Sequence, residues 1–231
     1  MSEKNNHFVI ILAAGKGKRM QINDLKQFLI LGDKPVVMHS ISKFHEFDSN
    51  SIVSVVLPKN KIKYWKELCS IYNFKIPHYI FIGGGSRYHS VKNALTNLKI
   101  NPNDIVSIHD GVRPFISKNL IKKLFHSTIK KGHSAPFIKS KDSIRMILNK
   151  NKKTQSVNRS DFVFIQTPQI FRGSIILNAY TKNIDNKTDD ISLIEDTVDI
   201  VNLIAGQEEN IKITTKKEWR IAQGLIKNKE A

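Results

Sequence analysis

Short apolar runs rich in Ile and Val recur along the chain, and stretches with helical periodicity separate them. Runs that are apolar at nearly every position are typical of strands covered on both faces. We predict strands at Phe8–Ala13, Ile52–Leu57, His78–Ile82, Ile105–His109, Ala135–Ile138, Val198–Ile204 and Ile211–Thr214. Because strand–helix–strand units build parallel sheets, the chain is expected to be an α/β protein with a Rossmann-like, mostly parallel twisted sheet flanked by helices.

Helical patterns occupy the segments between these strands. Pro35 is expected at a first helical position, just before the helical stretch Val36–Phe47. A missing amide proton does no harm at that position. Further helices are predicted at Tyr64–Tyr72, Ser90–Leu98 and Leu120–Lys131. A last helix is expected to begin at a capping box, in which Thr215 and Glu218 bond each other's backbone amides.

The length of 231 residues suits one domain, which we assign to residues 1–231. No apolar run is long enough to cross a bilayer. We interpret Phe8–Ala14 as a buried first strand, since cations follow it where a signal peptide would have a cleavage site. Cys69 is the single cysteine, which excludes an internal disulfide framework. We therefore expect a cytoplasmic protein.

The formal net charge is +17, from 37 Lys and Arg against 20 Asp and Glu. The lysines are scattered among Asn and Ile, as codon bias toward A and T would produce, and the aromatic residues do not interleave with them as a stacking platform requires. We expect neither a nucleic acid nor a membrane as partner, and the charge would steer small anions inward. A nucleic-acid-binding protein is the alternative of a different class, and it predicts steeply salt-dependent binding.

Residues 139–160 break the alternation of strands and helices. Two short alternating pieces flank a polar turn at Asn149–Lys153, which predicts a β-hairpin arm that protrudes from the domain. An isolated hairpin is only marginally stable in water. Either a second copy of the chain covers it, or it is a solvated surface hairpin.

The loop after the first strand combines glycines with cations. Gly15 and Gly17 permit a tight turn whose amides form an anion site. The nearby cations are Lys16, Lys18, Arg19 and Lys26. The loop lacks the Gly-Lys-Ser/Thr of a P-loop and only half matches the dinucleotide fingerprint. It suits a polyphosphate, although a solvated basic turn has the same composition.

Seven motifs make the polyphosphate interpretation specific. In chain order they are LAAGKGKRM, KQFLILGDKPVVMHSI, GGGSRYHSV, HDGVRPF, VNRSDFVFIQTPQIF, TDDISLIE and ENIKITT. Over nearly the whole chain they resemble the methylerythritol phosphate cytidylyltransferases, a family of sugar-phosphate nucleotidyltransferases. The resemblance implies transfer of CMP from CTP to 2-C-methyl-D-erythritol 4-phosphate, with release of pyrophosphate. A cytidylyltransferase for another polyol phosphate, such as ribitol 5-phosphate, is the alternative within the class.

The resemblance also implies roles for individual residues. The catalytic group comprises Arg19 and Lys26, which stabilise the transition state, and Arg159 and Lys212, which position the acceptor. The CTP-binding group comprises Ala13, Ala14, Gly15, Gly17, Gly84, Arg87, Ser90 and Gly111. The acceptor-binding group comprises Asp110, Arg113, Ser143, Arg159, Thr167, Thr188 and Lys212.

Two further implications concern the metal and the arm. Asp110 would hold Mg²⁺ or another divalent cation between phosphate oxygens. The arm would form a homodimer and enter the partner's site. His109 is interpreted as structural, whereas Asp189 and Asp190 either bind substrate hydroxyls or cap the helix that follows.

Overall fold

The structure is a computed structural model that describes residues 5–15, 17, 25–148, 153–182 and 187–230. Its strands are β1 (His7–Leu12), β2 (Ile30–Leu31), β3 (Lys34–Pro35), β4 (Ile52–Leu57), β5 (Tyr79–Ile82), β6 (Ile105–Asp110), β7 (His133–Lys139), β8 (Ile144–Ile147), β9 (Thr154–Val157), β10 (Val163–Ile165), β11 (Gln169–Arg172) and β12 (Leu203–Ala205). Its α-helices are α1 (Val36–Phe47), α2 (Ile62–Ile71), α3 (Arg87–Asn97), α4 (Lys118–Lys131), α5 (Gly173–Thr181) and α6 (Lys216–Glu230).

The main sheet has the order β10–β7–β11–β6–β1–β4–β5, and β12 also pairs with β7. Strands β6, β1, β4 and β5 are parallel neighbours, whereas β11 lies antiparallel between β6 and β7. The mostly parallel sheet is therefore confirmed. The strand order reverses at β1, so a crevice opens at the carboxyl ends of β1 and β6, where α/β folds bind ligands.

Side chains of β1 alternate between two hydrophobic clusters on the two faces of the sheet. Val9 and Ile11 pack in a cluster with residues of α1, α2 and α4. Phe8 and Ile10 pack in a second cluster with residues of α3 and α5. All four side chains are buried, which explains why the run has no polar positions.

Two predicted strands are wrong in extent or in kind. Within Val198–Ile204 only Leu203 and Ile204 belong to a strand, the short β12. The segment Ile211–Thr214 forms no strand. Its Ile213 is fully buried beside Val112 and α6, so its apolar residues serve a side-chain cluster rather than a ladder.

Helix boundaries follow the caps. The capping box is confirmed, because the Thr215 amide donates to Glu218 Oε2 at 2.8 Å and the Glu218 amide donates to Thr215 Oγ1 at 3.3 Å. Helix α3 begins earlier than predicted, since Ser86 Oγ accepts from the His89 amide. Pro35 is the residue before α1 rather than its first residue.

Strands β8 and β9 form an antiparallel two-stranded sheet separate from the main sheet. The predicted turn lies outside the described residues except for Lys153. Among the described residues, no helix has both the length and the apolar character that crossing a bilayer requires.

Candidate active site

Two adjoining cavities lie at the carboxyl end of the parallel strands. The first, of about 420 Å³, is lined by residues that follow β1, β5 and β6, together with Lys26 and Lys212. The second, of about 330 Å³, is lined by β10 and by residues from Thr167 to Ser192. Arg87, Asp110 and Lys212 line both cavities, so we call these three residues the junction. Both volumes fall in the range of ordinary small-molecule sites.

The loop after β1 is fixed by a glutamine that sequence reasoning missed. The Gln27 carboxamide donates to the Ala13 carbonyl at 2.6 Å and contacts the Gly15 carbonyl at 3.4 Å. The Ala13 amide donates to the Val56 carbonyl at 2.9 Å, so the amides left for an anion begin at Ala14. Gly17 has a φ of 65°, a conformation that favours glycine. Gln27 directly follows Lys26, but only the fold reveals that it clamps this loop.

Cations approach the first cavity from the segment after this loop. Lys26 begins a 3₁₀ turn, Lys26–Phe28, and lines the cavity while only 9% of its surface is exposed. Arg19, predicted to act with Lys26, lies outside the described residues, as do Lys16 and Lys18.

The Gly83–Ser90 segment forms the opposite wall of the first cavity. The Ser90 hydroxyl donates to the Ser86 carbonyl at 2.9 Å and accepts from the Gly84 amide at 3.1 Å. A serine oxygen has two acceptor sites, so Ser90 keeps one for a ligand. A Cβ on Gly84 would lie 2.3 Å from His89 Cβ, which explains why the chain needs glycine there.

The junction carries a buried carboxylate among cations. Lys212 Nζ lies 2.9 Å and Arg113 Nε 3.4 Å from Asp110 Oδ2. Burial alone would raise the pKa of Asp110, but Lys212, followed by Arg87 and Arg113, outweighs burial and holds that pKa well below its usual range. Asp110 is therefore ionised at neutral pH. Arg113 is held further by the Asn210 carbonyl at 2.7 Å.

Arg87, predicted to bind CTP, is paired with Asp190. The two guanidinium nitrogens lie 2.7 and 2.5 Å from the two carboxylate oxygens. Asp190 is fully buried, so it neither faces a substrate hydroxyl nor lines a cavity of the described residues. Asp189 lines the second cavity and also caps the turn Ile191–Leu193, because Ser192 donates to its carboxylate.

The second cavity contains the predicted hydroxyl groups of Thr167 and Thr188. Burial lowers the pKa of His109 to about 4, so this ring is neutral at neutral pH. His109 Nε2 faces the Arg113 carbonyl at 3.1 Å and must donate, which leaves Nδ1 to accept from Thr167 Oγ1 at 3.2 Å. Because Thr167 gives its only hydroxyl proton to His109 and also accepts from the Asp110 amide at 3.0 Å, it has one acceptor site and no donor left for a ligand hydroxyl. Gln169, also missed from the sequence, lines this cavity through the antiparallel β11.

Three predicted residues line neither cavity of the described part of the chain. Gly111 is buried, its amide donates to the Leu12 carbonyl, and a Cβ there would lie only 3.1 Å from the nearest atoms of Ile11 and Leu12. Ser143 and Arg159 are exposed at the base of the β8–β9 hairpin, opposite its turn, and Arg159 donates to the Lys141 carbonyl at 2.6 Å. Within the described residues, no three His, Cys, Asp or Glu side chains cluster as a metal site. Of the residues that the structure describes, only Asp110 offers a carboxylate to the first cavity.

Comparison with known proteins agrees with the resemblance seen in the motifs. Residues 7–228 match the family model of 2-C-methyl-D-erythritol 4-phosphate cytidylyltransferase. The chain is 43% identical over 221 residues to the protein of that name from Azobacteroides pseudotrichonymphae, covering 95% of this chain and 98% of the relative. It is 40% identical over 222 residues to the one from Phocaeicola vulgatus, covering 96% and 100%.

A solved structure is similar over the same length. The 4-diphosphocytidyl-2C-methyl-D-erythritol synthase of Anaerococcus prevotii superposes with a TM-score of 0.81 at 27% identity, and 96% of each chain is covered. The likeness therefore extends over nearly the whole length of both chains.

Proposed function

The chain belongs to the 2-C-methyl-D-erythritol 4-phosphate cytidylyltransferase family, and we propose that its two joined cavities hold the two substrates of that reaction. The enzyme transfers CMP from CTP to 2-C-methyl-D-erythritol 4-phosphate. The products are 4-diphosphocytidyl-2-C-methyl-D-erythritol and pyrophosphate, in the non-mevalonate route to isoprenoids. The proposal concerns which residues perform each part.

CTP occupies the first cavity in this proposal. The amides of Ala14, Gly15 and Gly17 face the triphosphate, and Lys26 with Arg19 neutralises charge that develops on the α-phosphoryl group. Support comes from the position of Lys26 in the cavity wall and from the Gln27 carboxamide, which engages the Ala13 and Gly15 carbonyls of this loop.

Cytosine is read by the Gly84 and Ser90 side of the same cavity. Ser90 Oγ has already given its proton to the Ser86 carbonyl, so it can accept from a base but not donate to it. Cytosine presents an amino group at the position where uracil presents a carbonyl oxygen. A site that can only accept therefore favours CTP over UTP.

Methylerythritol phosphate occupies the second cavity, with its phosphate at the junction. Lys212 and Arg113 supply positive charge there, whereas Thr167 and Thr188 face the polyol. The phosphate oxygen is already a nucleophile, so the reaction needs no general base. Positioning for in-line attack at the α-phosphorus and neutralisation of charge carry the catalysis.

Asp110 is the proposed ligand of Mg²⁺. Among the described residues, both ion pairs of Asp110 engage Oδ2, so Oδ1 is the oxygen we assign to the cation. Mg²⁺ commonly takes one or two carboxylates together with substrate phosphates and waters, so a single ionised carboxylate beside the triphosphate fits this ion. When bound, the ion supplies positive charge to the triphosphate and the leaving pyrophosphate.

The arm, residues 139–160 inserted in the single domain 1–231, is proposed to form a homodimer. Large apolar side chains are exposed in the arm and in or beside β10. They are Met146, Ile147, Leu148, Phe162, Val163 and Phe164. Several large apolar side chains exposed within one stretch of the chain favour a partner that covers them. In the dimer, Ser143 and Arg159 of a second copy would complete the acceptor side of each site.

Partners and location remain predictions from the sequence. We expect no nucleic acid and no membrane partner, because the cations are scattered and the aromatic residues do not alternate with them. A cytoplasmic location is expected from the single cysteine and from the interpretation of Phe8–Ala14 as a buried first strand rather than a signal peptide.

The observation that carries this proposal is that Arg87, Asp110 and Lys212 line both cavities, so two phosphorylated substrates would meet among them. The test supplies the purified chain with CTP, Mg²⁺ and either methylerythritol phosphate or ribitol 5-phosphate, and measures pyrophosphate release. We expect release with methylerythritol phosphate. Release with ribitol phosphate alone would reject the acceptor assignment.

A further inference from the structure

A buried ion pair connects the nucleotide side of the site with the acceptor side. Arg87 opens α3, directly after the loop assigned to the base. Asp190, 103 residues further along the chain, directly follows Thr188 and Asp189, which line the second cavity. The two groups meet in a two-pronged contact, with N–O distances of 2.7 and 2.5 Å. This geometry fixes the orientation of a guanidinium as well as its position.

Asp190 is itself held rigidly. Its side chain is fully buried, and the Tyr180 hydroxyl donates to Oδ1 at 2.6 Å. Its backbone amide donates to Gln169 Oε1 at 2.9 Å, and Gln169 is the first residue of β11 in the main sheet. The carboxylate is therefore anchored to the sheet, and every contact it makes is to the protein rather than to a cavity.

Arg87 behaves differently, because its side chain is 26% exposed and lines both cavities. A guanidinium has five N–H donors, and Asp190 takes two of them. The remaining donors are available where Asp110 and Lys212 also meet. Burial opposes the charge of Arg87, but Asp190 outweighs burial and raises its pKa, so Arg87 stays a cation.

We propose that Asp190 is a positioning residue for the transfer step, which holds the Arg87 guanidinium at the junction so that it donates to the reacting phosphates. This inference rests on the proposed assignment of the two cavities. Donors that are oriented before the reaction stabilise developing charge without reorganising during it. Loss of Asp190 would leave the guanidinium present but no longer aimed at the phosphates.

The principal test is a double-mutant cycle measured by pyrophosphate release. Asp190→Asn keeps the size of the side chain and removes its charge. We expect it to lower kcat by roughly 10- to 100-fold while the KM for CTP changes less than about threefold. In the Arg87→Ala background the same substitution should lower kcat less than about twofold, because Asp190 acts through Arg87. Glu46→Gln, which breaks the exposed Lys43–Glu46 pair, is the control and should leave kcat unchanged.

Removing one member of a buried ion pair destabilises a protein, so the variants of the first cycle could fail to fold. A second cycle therefore uses variants that leave neither charge unpaired. Tyr180→Phe removes one hydrogen bond to Asp190 and keeps both charges. We expect a two- to tenfold lower kcat in the otherwise unchanged enzyme. The effect should vanish when Arg87→Met and Asp190→Leu replace the pair with apolar side chains, a combination expected to fold.

Effects that multiply in either cycle, or an Asp190→Asn enzyme with unchanged kcat, would overturn the inference. So would full activity of the enzyme that carries Arg87→Met and Asp190→Leu, since the pair would then serve folding alone. If the unmodified enzyme releases no pyrophosphate from CTP with methylerythritol phosphate, the proposed function fails instead. The two failures are therefore distinguishable.

Discussion

Gly84→Ala tests whether the Gly83–Ser90 wall binds the nucleotide. The added Cβ would lie 2.3 Å from His89 Cβ and 2.9 Å from the His89 carbonyl carbon. Carbon atoms in contact prefer about 3.5–4.0 Å, so the loop and α3 must separate by about 1 Å. Strain of this kind typically costs about 1–3 kcal/mol. The Gly84 amide, which donates to Ser90 Oγ, would shift with the loop.

If that strain is relieved by moving the loop out of its binding position, affinity for CTP falls by about 5- to 150-fold. Calorimetric titration of CTP with Mg²⁺ measures this directly, and the KM for methylerythritol phosphate should stay within about threefold. Gly224→Ala, in α6 and outside both cavities, is the control, because no atom lies within 4 Å of a Cβ there. A folded Gly84→Ala enzyme that binds CTP as tightly as the Gly224→Ala enzyme would refute the reasoning.

Three other predictions concern the phosphates, the arm and acid stability. Lys26→Ala should lower kcat by about 10²–10³-fold, because it removes a charge that stabilises the transition state. Lys59→Ala, on an exposed turn, is the control. Near-normal turnover of the Lys26→Ala enzyme, or an equal loss in the control, would reject the role of Lys26. Ile147→Asp should shift the chain from dimer to monomer in light scattering and raise the KM for methylerythritol phosphate more than that for CTP. Ile200→Asp should do neither, because Ile200 lies outside the arm although it is even more exposed, 81% against 72%. His109 has a folded-state pKa of about 4 against 6.5 unfolded, so the unfolded chain binds the extra proton and the free energy of unfolding should fall by roughly 3 kcal/mol as pH drops from 6.5 to 4. Urea denaturation across that range checks the sign, and stability that rises on acidification would contradict it.

The parallel core was predictable because its strands are buried on both faces and therefore have uninterrupted apolar runs. The antiparallel β11 was not, since Gln169–Arg172 is four residues long and mixes polar with apolar positions. Its burial comes from neighbours β6 and β7, which are distant in sequence. The predicted strand at Ile211–Thr214 was wrong because an apolar run does not by itself imply a strand. Its apolar side chains pack against neighbours although the backbone pairs with no other strand of the described residues.

The site also contains some residues that the sequence predicted and others whose roles it could not predict. Motifs marked residues of the first cavity, such as Lys26, Gly84 and Ser90, because they lie in short contiguous segments. The roles of Gln27 and Asp190 depend on contacts that only the fold creates. The sequence left Asp190 open between substrate binding and capping, and the structure replaces both with the contact to Arg87. Long-range pairs of this kind have no local signature.

A structure of the enzyme with bound CTP and Mg²⁺ tests the central claim most directly. The account predicts that the triphosphate lies along Ala14–Gly17 and Lys26, that the base contacts Gly84 and Ser90, and that the α-phosphorus lies at the junction. Nucleotide bound in the second cavity or outside both cavities, with the Ala14–Gly17 loop empty, would contradict it.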